Sequence, residues 1–426
     1  MSNAVRRTRA TLAVAALWTV LLAGVAGCTG EAGSAGSAGS AGSAGSAGGP
    51  AAEGDKPRAP GDTIRITPAD GATAVPADGR LEVALAGGRL ERVKVTRIED
   101  AQPAEVPGAV SPNGLTWRPK PGTRLALAAK YSVDAVALDV HGRRSARHTT
   151  FTTVVPDHRF IGYFTPENRS TVGVGMIISF DFNRGIRNRA AVERAIRVTS
   201  VPAVEVVGHW FDAERLDFRP RQYWKPGTKV TVDMALRDVE GASGVYGVQR
   251  KTVRFTVGRS QVSVVDAREQ TMEVRRDGRL LTTLPVTTGG KKTRTYNGRM
   301  VVSEMHDVTR MNGATVGFTD DDGKSEYDIK DVPHAMRLTT SGTFLHGNYW
   351  ADPAVFGARN VSHGCIGLRD EKGGSQDSPA GWFFDRTLVG DVVEVVNSPD
   401  RTVDPWNGLS GWNMGWEAWK AGSALR

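Results

Sequence analysis

Cysteine is nearly absent from this chain of 426 residues, which contains only Cys28 and Cys365. A framework of several disulfides is therefore excluded, and a single Cys28–Cys365 bond is the most that could form. The chain must be stabilised by hydrophobic cores, which its length and its 40% content of hydrophobic residues allow. This length suggests two to four domains.

The chain also lacks a long apolar run and a nucleic-acid-binding pattern. The most apolar stretch, Thr11 to Val25, is shorter than the roughly 20 residues that a membrane-spanning helix needs. The net charge is +8, but no basic run is interleaved with aromatic residues, so nucleic acid is not an expected partner. The charge is consistent with a solvated basic surface or with an anionic cell wall.

The first residues have the features of an export signal. Arg6, Arg7 and Arg9 precede the apolar stretch, and Val25-Ala26-Gly27-Cys28 ends it with small residues. This ending resembles a bacterial lipobox, which implies that residues 1–28 are a lipoprotein signal peptide and that Cys28 is lipidated. An ordinary signal peptide or a short anchor helix are the alternatives. All three place the bulk of the protein outside the cytoplasm, and the first anchors it in the membrane facing the cell wall.

Residues 29–61 have the composition of a flexible tether. The triplet Gly-Ser-Ala recurs from Gly33 to Ala47, and no large apolar residue occurs before Ile64. Such a segment cannot bury a core. Fully extended, it would reach roughly 110 Å.

Two tandem immunoglobulin-like β-sandwiches are predicted for residues 62–156 and 157–257. Short alternating strands are separated by Gly, Pro, Asp and Asn clusters. Leu115-Thr116-Trp117-Arg118-Pro119 recurs as Leu216-Asp217-Phe218-Arg219-Pro220, and both copies are followed by Lys-Pro-Gly-Thr. The recurrence indicates a repeat of about 100 residues. Neither copy contains a catalytic pattern, so both are interpreted as spacers.

Residues 258–398 are predicted to form a separate β-rich domain. Hairpin strands begin at Val262, residues 305–335 are polar and poorly periodic and are interpreted as a lid, and Ser378-Pro379 should begin a helix that runs to Leu388. In the extension 399–426, Trp412, Trp416 and Trp419 fall on one helical face. This face is expected to pack on the β-rich domain.

The candidate catalytic residues are concentrated in two short segments. Phe344-Leu345-His346-Gly347 precedes Ser362-His363-Gly364-Cys365-Ile366-Gly367 by a short loop. A lone cysteine in an exported protein is exposed to oxidation, which indicates a use for its thiol. A nucleophilic thiol needs a base, which must itself be oriented, and main-chain N–H groups that stabilise an oxyanion.

This pattern of His-Gly followed by Ser-His-Gly-Cys resembles the signature of the YkuD-type L,D-transpeptidases. The signal, two sandwiches, β-rich domain and Trp-rich tail resemble the actinobacterial lipoprotein members. The resemblance implies that Cys365 attacks a peptidoglycan stem tetrapeptide and releases D-Ala. A second stem's amine then resolves the thioester, giving a 3→3 cross-link. His346 is the implied base, oriented by the Gly347 carbonyl, where some members have Ser.

The resemblance also assigns supporting roles. Main-chain N–H groups around Gly364 and Cys365 form the oxyanion hole, and Ser362 and His363 shape the turn. Positions that line the substrate cleft in the family are Tyr327, Ser341, Gly342 and Gly367. Gly367 stands where relatives often carry Asn or Arg, so no side chain contributes there. His306 and His334 show no pairing pattern and are interpreted as surface or loop residues.

Three alternatives change the function. The same thiol with water as acceptor gives a carboxypeptidase or endopeptidase, and it could also attach a protein to the wall. A zinc hydrolase would use His346, His363 and Cys365, but no further ligand has a suitable spacing. A non-catalytic wall-binding lipoprotein would leave Cys365 unused. Under the transpeptidase reading the partners are stem peptides, carbapenems are inhibitors, and no metal or cofactor is needed.

Overall fold

Short strands with alternating buried and exposed side chains build most of the architecture. The computed structural model describes residues 64–98, 104–319 and 321–425. The predicted signal peptide, Cys28 and the tether lie outside the described residues. Among the residues that are described, no helix is long and apolar enough to cross a membrane.

The first sandwich packs a four-stranded sheet against a five-stranded sheet. Their orders are β1-β3-β7-β6 and β2-β9-β8-β4-β5, with Trp117, Tyr131 and Phe151 in the core between them. The strands are β1 Ile64–Thr67, β2 Ala72–Val75, β3 Glu82–Leu85, β4 Arg89–Arg97, β5 Ala104–Glu105, β6 Gly108–Val110, β7 Thr116–Pro119, β8 Lys130–Leu138 and β9 Arg144–Thr153.

The second sandwich repeats this plan. Its sheets have the orders β11-β13-β16-β15 and β12-β20-β17-β14, and β10-β19-β18 forms a small third sheet. The elements are β10 His158–Phe160, β11 Gly162–Thr165, β12 Thr171–Val172, β13 Ile178–Phe182, α1 Arg189–Arg194, β14 Ile196–Val201, β15 Val206–Trp210, β16 Arg215–Pro220, β17 Lys229–Ala235, β18 Glu240–Ala242, β19 Val245–Gly247 and β20 Arg250–Val257.

The two recurring sequence segments occupy equivalent places in the two sandwiches. β7 lies between β3 and β6, and β16 lies between β13 and β15. In the other sheet of each sandwich, a short edge strand pairs in parallel with the last strand of that sandwich. These pairs are β2 with β9 and β12 with β20. The predicted repeat and the mainly β fold class are therefore confirmed.

The third domain is built on one nine-stranded sheet in the order β24-β29-β21-β22-β23-β28-β27-β26-β25. Asp277 and Gly278 have positive φ angles and form the tight turn between β22 and β23. The elements are β21 Gln261–Asp266, β22 Thr271–Arg276, β23 Arg279–Thr287, β24 Gly298–Val301, β25 Glu304–Asn312, β26 Asp328–Arg337, β27 Phe344–Asn348, β28 Ile366–Arg369, α2 Pro379–Phe384 and β29 Val392–Val396.

Two local predictions in this domain were wrong in extent. Residues 305–335 form mostly a β-hairpin of β25 and β26, and only 313–327 connect the strands. Much of β25 is solvent-exposed on both faces, so its sequence shows no alternation. Helix α2 begins after the Ser378 cap as predicted, but it ends at Phe384 rather than Leu388. After Phe384 the N–H groups of Arg386 and Thr387 donate to carbonyls three residues earlier, which is no longer the α-helical pattern, and the Leu388 N–H donates to the Asp391 side chain.

The prediction for the C-terminal extension was wrong in two respects. Trp412 lies in a 3-10 helix, Gly411–Asn413, and Trp416 and Trp419 lie in α3, Trp416–Ala421, so the three do not share one helix. Trp412 and Trp419 pack mainly on the second sandwich, where their indole N–H groups donate to the carbonyls of Gly175 and Val207. The extension also contacts the third domain, since Asn413 bonds to Arg299. It therefore joins two domains.

Trp419→Ala should destabilise the protein strongly. The side chain is fully buried and its ring stacks on His209 at 4.8 Å, so truncation should lower the free energy of unfolding by about 3–5 kcal/mol. Trp406 is a matched control in the same extension, because it is 54% exposed. Trp406→Ala should change the free energy by less than about 0.5 kcal/mol. Chemical denaturation measures both, and equal effects would contradict the packing described.

Candidate active site

Strands β27 and β28 bring the two segments with candidate catalytic residues together. They are parallel neighbours, with His346 opposite Gly367, and Cys365 immediately precedes β28. Both Cys365 and His346 line one cavity of about 460 Å³. A thiol and an imidazole from separate sequence segments therefore face the same cavity.

The turn before Cys365 is held by hydrogen bonds to its backbone. Gly364 has a φ of +113°, a region that L side chains rarely adopt. The Ser362 hydroxyl donates to the Cys365 carbonyl at 2.6 Å. The Gly/Lys-rich loop between β23 and β24 supports the turn, because Thr293 and Thr295 donate to the carbonyls of Ser362 and Gly364. The position of the thiol is thus fixed by main-chain geometry.

The Cys365 thiol is buried and uncharged at neutral pH. Its sulfur accepts a hydrogen bond from the Phe344 N–H at 3.4 Å and lies 3.5 Å from the Gly342 carbonyl oxygen. Burial raises the pKa of the Cys365 thiol to about 11, against the opposing effects of the Phe344 N–H and the charge of Arg337. The thiol therefore needs a base to become a nucleophile.

His346 is arranged to act as that base. Its Nδ1 lies 2.9 Å from the Gly347 carbonyl oxygen. A carbonyl can only accept, so Nδ1 carries the proton and Nε2 keeps a free lone pair. Burial lowers the pKa of His346, while the Gly347 hydrogen bond and the charge of Asp370 partly oppose this shift. The imidazole is therefore neutral at neutral pH and able to accept a proton.

Two cavity residues near His346 escaped the sequence analysis. Asn348 and Trp350 follow His346 at intervals of two residues, and all three line the cavity. The Trp350 ring stacks on the imidazole with centroids 5.5 Å apart. The signal was available for Asn348, because residues at i and i+2 of a strand share one face, whereas Trp350 lies beyond the end of β27. Trp350 limits the rotation of the base and forms part of the cavity wall.

The hairpin of β25 and β26 supplies another wall. Met311, Tyr327 and Ile329 line the cavity from this side. The His363 side chain reaches this hairpin connection, with Nε2 3.3 Å from Glu326 and its ring 5.0 Å from the Tyr327 ring. His363 was predicted to shape the turn, but its side chain instead contacts the connection. Burial raises the pKa of Tyr327 to about 12, so its hydroxyl stays protonated.

The predicted cleft residues Ser341, Gly342 and Gly367 are placed differently with respect to the cavity. Gly342 contacts the Cys365 sulfur through its carbonyl, and a side chain there would meet Val316 of the connection. Ser341 was predicted to line the cleft but bonds instead to Asn407 of the C-terminal extension. Gly367 is not among the residues that line the cavity, and an added Cβ there would come within 2.9 Å of Thr287.

The Gly364 N–H is already engaged. It donates to the Ser362 hydroxyl at 3.2 Å. To serve as an oxyanion donor, as predicted, this N–H would have to exchange that acceptor for the substrate oxygen.

A buried histidine–aspartate pair supports the Gly347 peptide. His334 was predicted to be a surface or loop residue, but it is buried and its Nδ1 lies 2.7 Å from Asp370 Oδ2. The N–H groups of Glu371 and Ser375 donate to the other oxygen of Asp370. Asp370 therefore cannot move easily. No sequence signal identified this pair, because its members are 36 residues apart.

Asp370 also explains why position 347 is glycine. An ideal Cβ at Gly347 would lie 2.1 Å from Asp370 Oδ2, well inside contact distance. The carboxylate thus occupies the space in which a side chain at 347 would sit. It packs directly against the residue whose carbonyl orients His346.

Gly347→Ala should lower both stability and activity. The methyl group must displace the fixed Asp370 carboxylate, which should cost about 1–3 kcal/mol in the free energy of unfolding, and the shift of the Gly347 carbonyl should misalign His346. Gly415→Ala is the control, because nothing lies within 4 Å of its Cβ position.

A double-mutant cycle checks the cause of this effect. Gly347→Ala combined with Asp370→Ala should lose less stability than the sum of the two single changes. Denaturation and kcat/KM are measured for all four proteins. Additive losses would show that the two positions do not compete for space.

The donors of the zinc-hydrolase alternative do not assemble. Within residues 64–98, 104–319 and 321–425, no group of three His, Cys, Asp or Glu side chains could hold a metal ion. Although His346, His363 and Cys365 all line the cavity, the His346 Nδ1 faces a carbonyl and His363 faces Glu326. The arrangement favours thiol chemistry.

Comparisons with known proteins agree with this geometry. The L,D-transpeptidase catalytic domain (YkuD) matches residues 260–395, and the bacterial Ig domain matches residues 72–240. L,D-transpeptidase 2 of Mycobacterium tuberculosis strain CDC 1551 is 32% identical over 355 residues, 83% of each chain. L,D-transpeptidase 5 of strain H37Rv is 29% identical over 381 residues, 88% of this chain and 79% of that protein.

Among solved structures, the L,D-transpeptidase LdtMt1 in complex with imipenem covers 57% of this chain and 100% of its own, with 29% identity and a TM-score of 0.46. The similarity to L,D-transpeptidase 2 extends over most of both chains and includes the sandwiches as well as the domain with the thiol. The chain belongs to the L,D-transpeptidases, with a YkuD catalytic domain preceded by immunoglobulin-like sandwiches.

Proposed function

We propose that this enzyme forms 3→3 cross-links between peptidoglycan stem peptides through a thioester on Cys365. The donor is a stem tetrapeptide, and the bond that breaks joins the diamino acid to the terminal D-Ala. The acceptor is the side-chain amine of a second stem. The residues that carry the chemistry are Cys365 and His346, both of which face the cavity.

Acylation begins from an uncharged thiol and a neutral imidazole. His346 Nε2 accepts the Cys365 proton as the sulfur attacks the donor carbonyl. The oxyanion that forms is stabilised by main-chain N–H groups of the turn before Cys365. The imidazolium then gives the same proton to the departing nitrogen of D-Ala, and a thioester remains. No net charge is created in this half-reaction.

In deacylation the acceptor amine is the nucleophile and the Cys365 sulfur is the leaving group. The acceptor amine attacks the thioester carbonyl, and His346 Nε2 removes a proton from that nitrogen. The tetrahedral intermediate expels the sulfur, which takes the proton back from the imidazolium. An amide bond replaces the thioester, and Cys365 and His346 return to their starting forms.

One observation carries this proposal. His346 donates from Nδ1 to the Gly347 carbonyl, and this leaves an Nε2 lone pair in the cavity that also contains the Cys365 thiol. Burial keeps both groups uncharged. The pair is therefore arranged for general-base activation of the thiol and not as a preformed thiolate–imidazolium ion pair.

Product analysis tests the proposed acceptor. Purified enzyme is incubated with a disaccharide tetrapeptide, and the products are analysed by mass spectrometry. Cross-linking yields a dimer whose mass is that of two substrates minus one D-Ala. Accumulation of tripeptide monomer without dimer would show instead that water is the acceptor and that the enzyme is a carboxypeptidase.

We also propose that carbapenems inhibit the enzyme by acylating Cys365. A strained lactam carbonyl meets the same requirement as the donor carbonyl, namely a nucleophilic sulfur with a neighbouring base. The cavity of about 460 Å³ falls within the range of small-molecule sites.

The sequence before the first sandwich supports the proposal that the enzyme is a lipoprotein attached to the outer face of the cytoplasmic membrane. The positive residues, the apolar stretch and the small residues before Cys28 are the features of such a signal. Residues 29–61 would then let the folded part reach into the wall while it remains anchored.

Cys28→Ala should release the protein from its anchor. The lipid can no longer be attached, so labelled palmitate should not be incorporated and the protein should leave the membrane fraction or retain its uncleaved signal. Fractionation of cells and metabolic labelling measure this. Palmitate incorporation equal to that of the wild type would contradict the proposed lipidation site.

A further inference from the structure

A second large cleft lies where the second sandwich, the catalytic domain and the C-terminal extension meet. Its volume is about 710 Å³, larger than that of the active-site cavity. We call it the junction cleft, and the residues that define it are Arg219, Arg221, Tyr223, Arg299, Trp412 and Trp416. The mechanism described above uses none of them.

The junction cleft carries an excess of positive charge. Three of the residues that line the cleft are arginines, and one, Glu394, is acidic. Glu394 lies 3.3 Å from the Arg299 guanidinium and offsets one of these charges. Arg221 is exposed at the cleft. A concave surface with unbalanced guanidinium groups attracts anions.

Arg219 is the innermost of the three guanidinium groups. The residue is 2% exposed, and its terminal nitrogens donate to the carbonyls of Pro220 and Met414. Its Nε has no hydrogen-bond partner within the described part of the chain. The indoles of Trp412 and Trp419 lie 4.8 and 4.3 Å from the guanidinium carbon. They stabilise the cation but accept no hydrogen bond in its plane.

Tyr223 presents a second unsatisfied group in the junction cleft. Its hydroxyl is buried and lacks a hydrogen-bond partner among the residues described. Burial raises the pKa of Tyr223 to about 12, so at neutral pH the hydroxyl is a donor. Buried polar groups are nearly always paired, so an unpaired one calls for a partner from solvent or from a ligand. Both unpaired groups can donate a hydrogen bond, so both could pair with the oxygens of an anion.

We propose that the junction cleft binds an oxyanion, phosphate or carboxylate, carried by a saccharide polymer of the cell wall. A guanidinium group can donate two N–H hydrogen bonds to two oxygens of either anion. The indole of Trp416 and the ring of Tyr223, which both line the cleft, provide apolar surfaces beside the charges. The wall as the source rests on the proposed function, whereas the oxyanion site rests on the cleft residues alone.

The site would hold the enzyme on its polymeric substrate. A bound wall polymer would keep the catalytic domain close to stem peptides without occupying the active-site cavity. Binding should weaken as salt is added, because exposed charges are screened. Turnover of small soluble muropeptides should not depend on the junction cleft.

The test compares two double variants that remove equal charge. Arg221→Gln with Arg299→Gln changes the junction cleft, and Arg268→Gln with Arg279→Gln changes exposed arginines of the catalytic domain outside it. Co-sedimentation with insoluble wall material measures polymer binding, and calorimetric titration with inorganic phosphate measures the anion site. Soluble muropeptide turnover and thermal unfolding are measured for every protein.

The cleft variant should bind wall at least about tenfold more weakly than the wild type, as expected for lost charge-assisted contacts. The control variant should remain within about twofold, since dispersed surface charges contribute little. Equal weakening in both variants, or unchanged binding by the cleft variant, would overturn the proposal. Turnover of soluble muropeptides is measured separately. If the cleft variant keeps its turnover, its wall binding reports on the junction cleft and not on the transpeptidase function.

Two further arms complete the experiment. Tyr223→Phe keeps the ring and removes only the hydroxyl, so it should weaken phosphate binding without lowering stability. Unchanged phosphate binding in this variant would contradict the donor role of Tyr223. Wall material treated with hydrofluoric acid lacks phosphodiester polymers. Lost binding to treated wall identifies phosphate as the anion, and retained binding that still requires Arg221 and Arg299 identifies carboxylate.

Discussion

Cys365→Ala should abolish cross-linking while leaving the fold intact. The substitution removes only the sulfur of a small buried side chain, so the free energy of unfolding should change by about 1 kcal/mol. Turnover should fall by at least about 10³-fold, because the sulfur that forms the acyl-enzyme is lost and the nearby Ser362 hydroxyl is engaged with the carbonyl of residue 365. Mass analysis of muropeptide products measures this loss.

The same variant tests the proposed site of carbapenem attack. Intact-mass spectrometry should show one added carbapenem on the wild type and none on Cys365→Ala. Thermal unfolding confirms that the variant is folded. A carbapenem adduct on the variant, or residual dimer formation near the wild-type rate, would contradict the assignment of Cys365 as nucleophile.

His346→Gln should reduce kcat/KM by about 10²–10⁴-fold, the usual contribution of a general base. The thiol remains, so slow acylation should persist. His306→Gln is the matched control: His306 lies on β25, its side chain is 41% exposed, and it pairs with Glu304. The control should retain wild-type activity. Equal activity of the two variants would show that His346 is not the base.

The pH dependence distinguishes loss of a base from a loss of structure. Wild-type kcat/KM should stay level as the pH falls through 6.5, because burial lowers the pKa of His346 below that ordinary value. It should decline only when the imidazole becomes protonated at lower pH. In His346→Gln the rate should instead rise with pH towards about 11, where the buried thiol ionises without help. A variant that is merely misfolded would show no such rise.

The sequence allowed the Cys365 thiol and the His346 imidazole to be predicted as neighbours because both belong to short local motifs, and both line one cavity. Gly364 and Cys365 form a turn within one short segment, and a carbonyl adjacent to His346 orients its ring. Tandem sandwiches were also predictable, since a recurring strand motif and recurring turn residues mark the same places in each copy. Local patterns therefore sufficed for the fold class and for bringing the candidate thiol and imidazole into one site.

Features that depend on distant contacts could not be predicted in this way. Asp370 lies far along the chain from His334 and contacts Gly347 only in the folded sheet. The tryptophans of the extension suggested a helix packed on the nearest domain, but Trp419 finds its partner in His209 of the second sandwich. Periodicity indicates which face is apolar, and the surface that covers that face is decided by the tertiary fold.

Direct capture of the acyl-enzyme tests the central claim most closely. The wild type is mixed with a donor tetrapeptide that cannot serve as acceptor, quenched in acid and digested, and the peptide that contains Cys365 is weighed. It should gain the mass of the donor minus D-Ala, and neutral hydroxylamine should remove the addition, as expected for a thioester. Turnover of the donor with no acylated Cys365 peptide, or with the acyl group on another residue, would contradict the account.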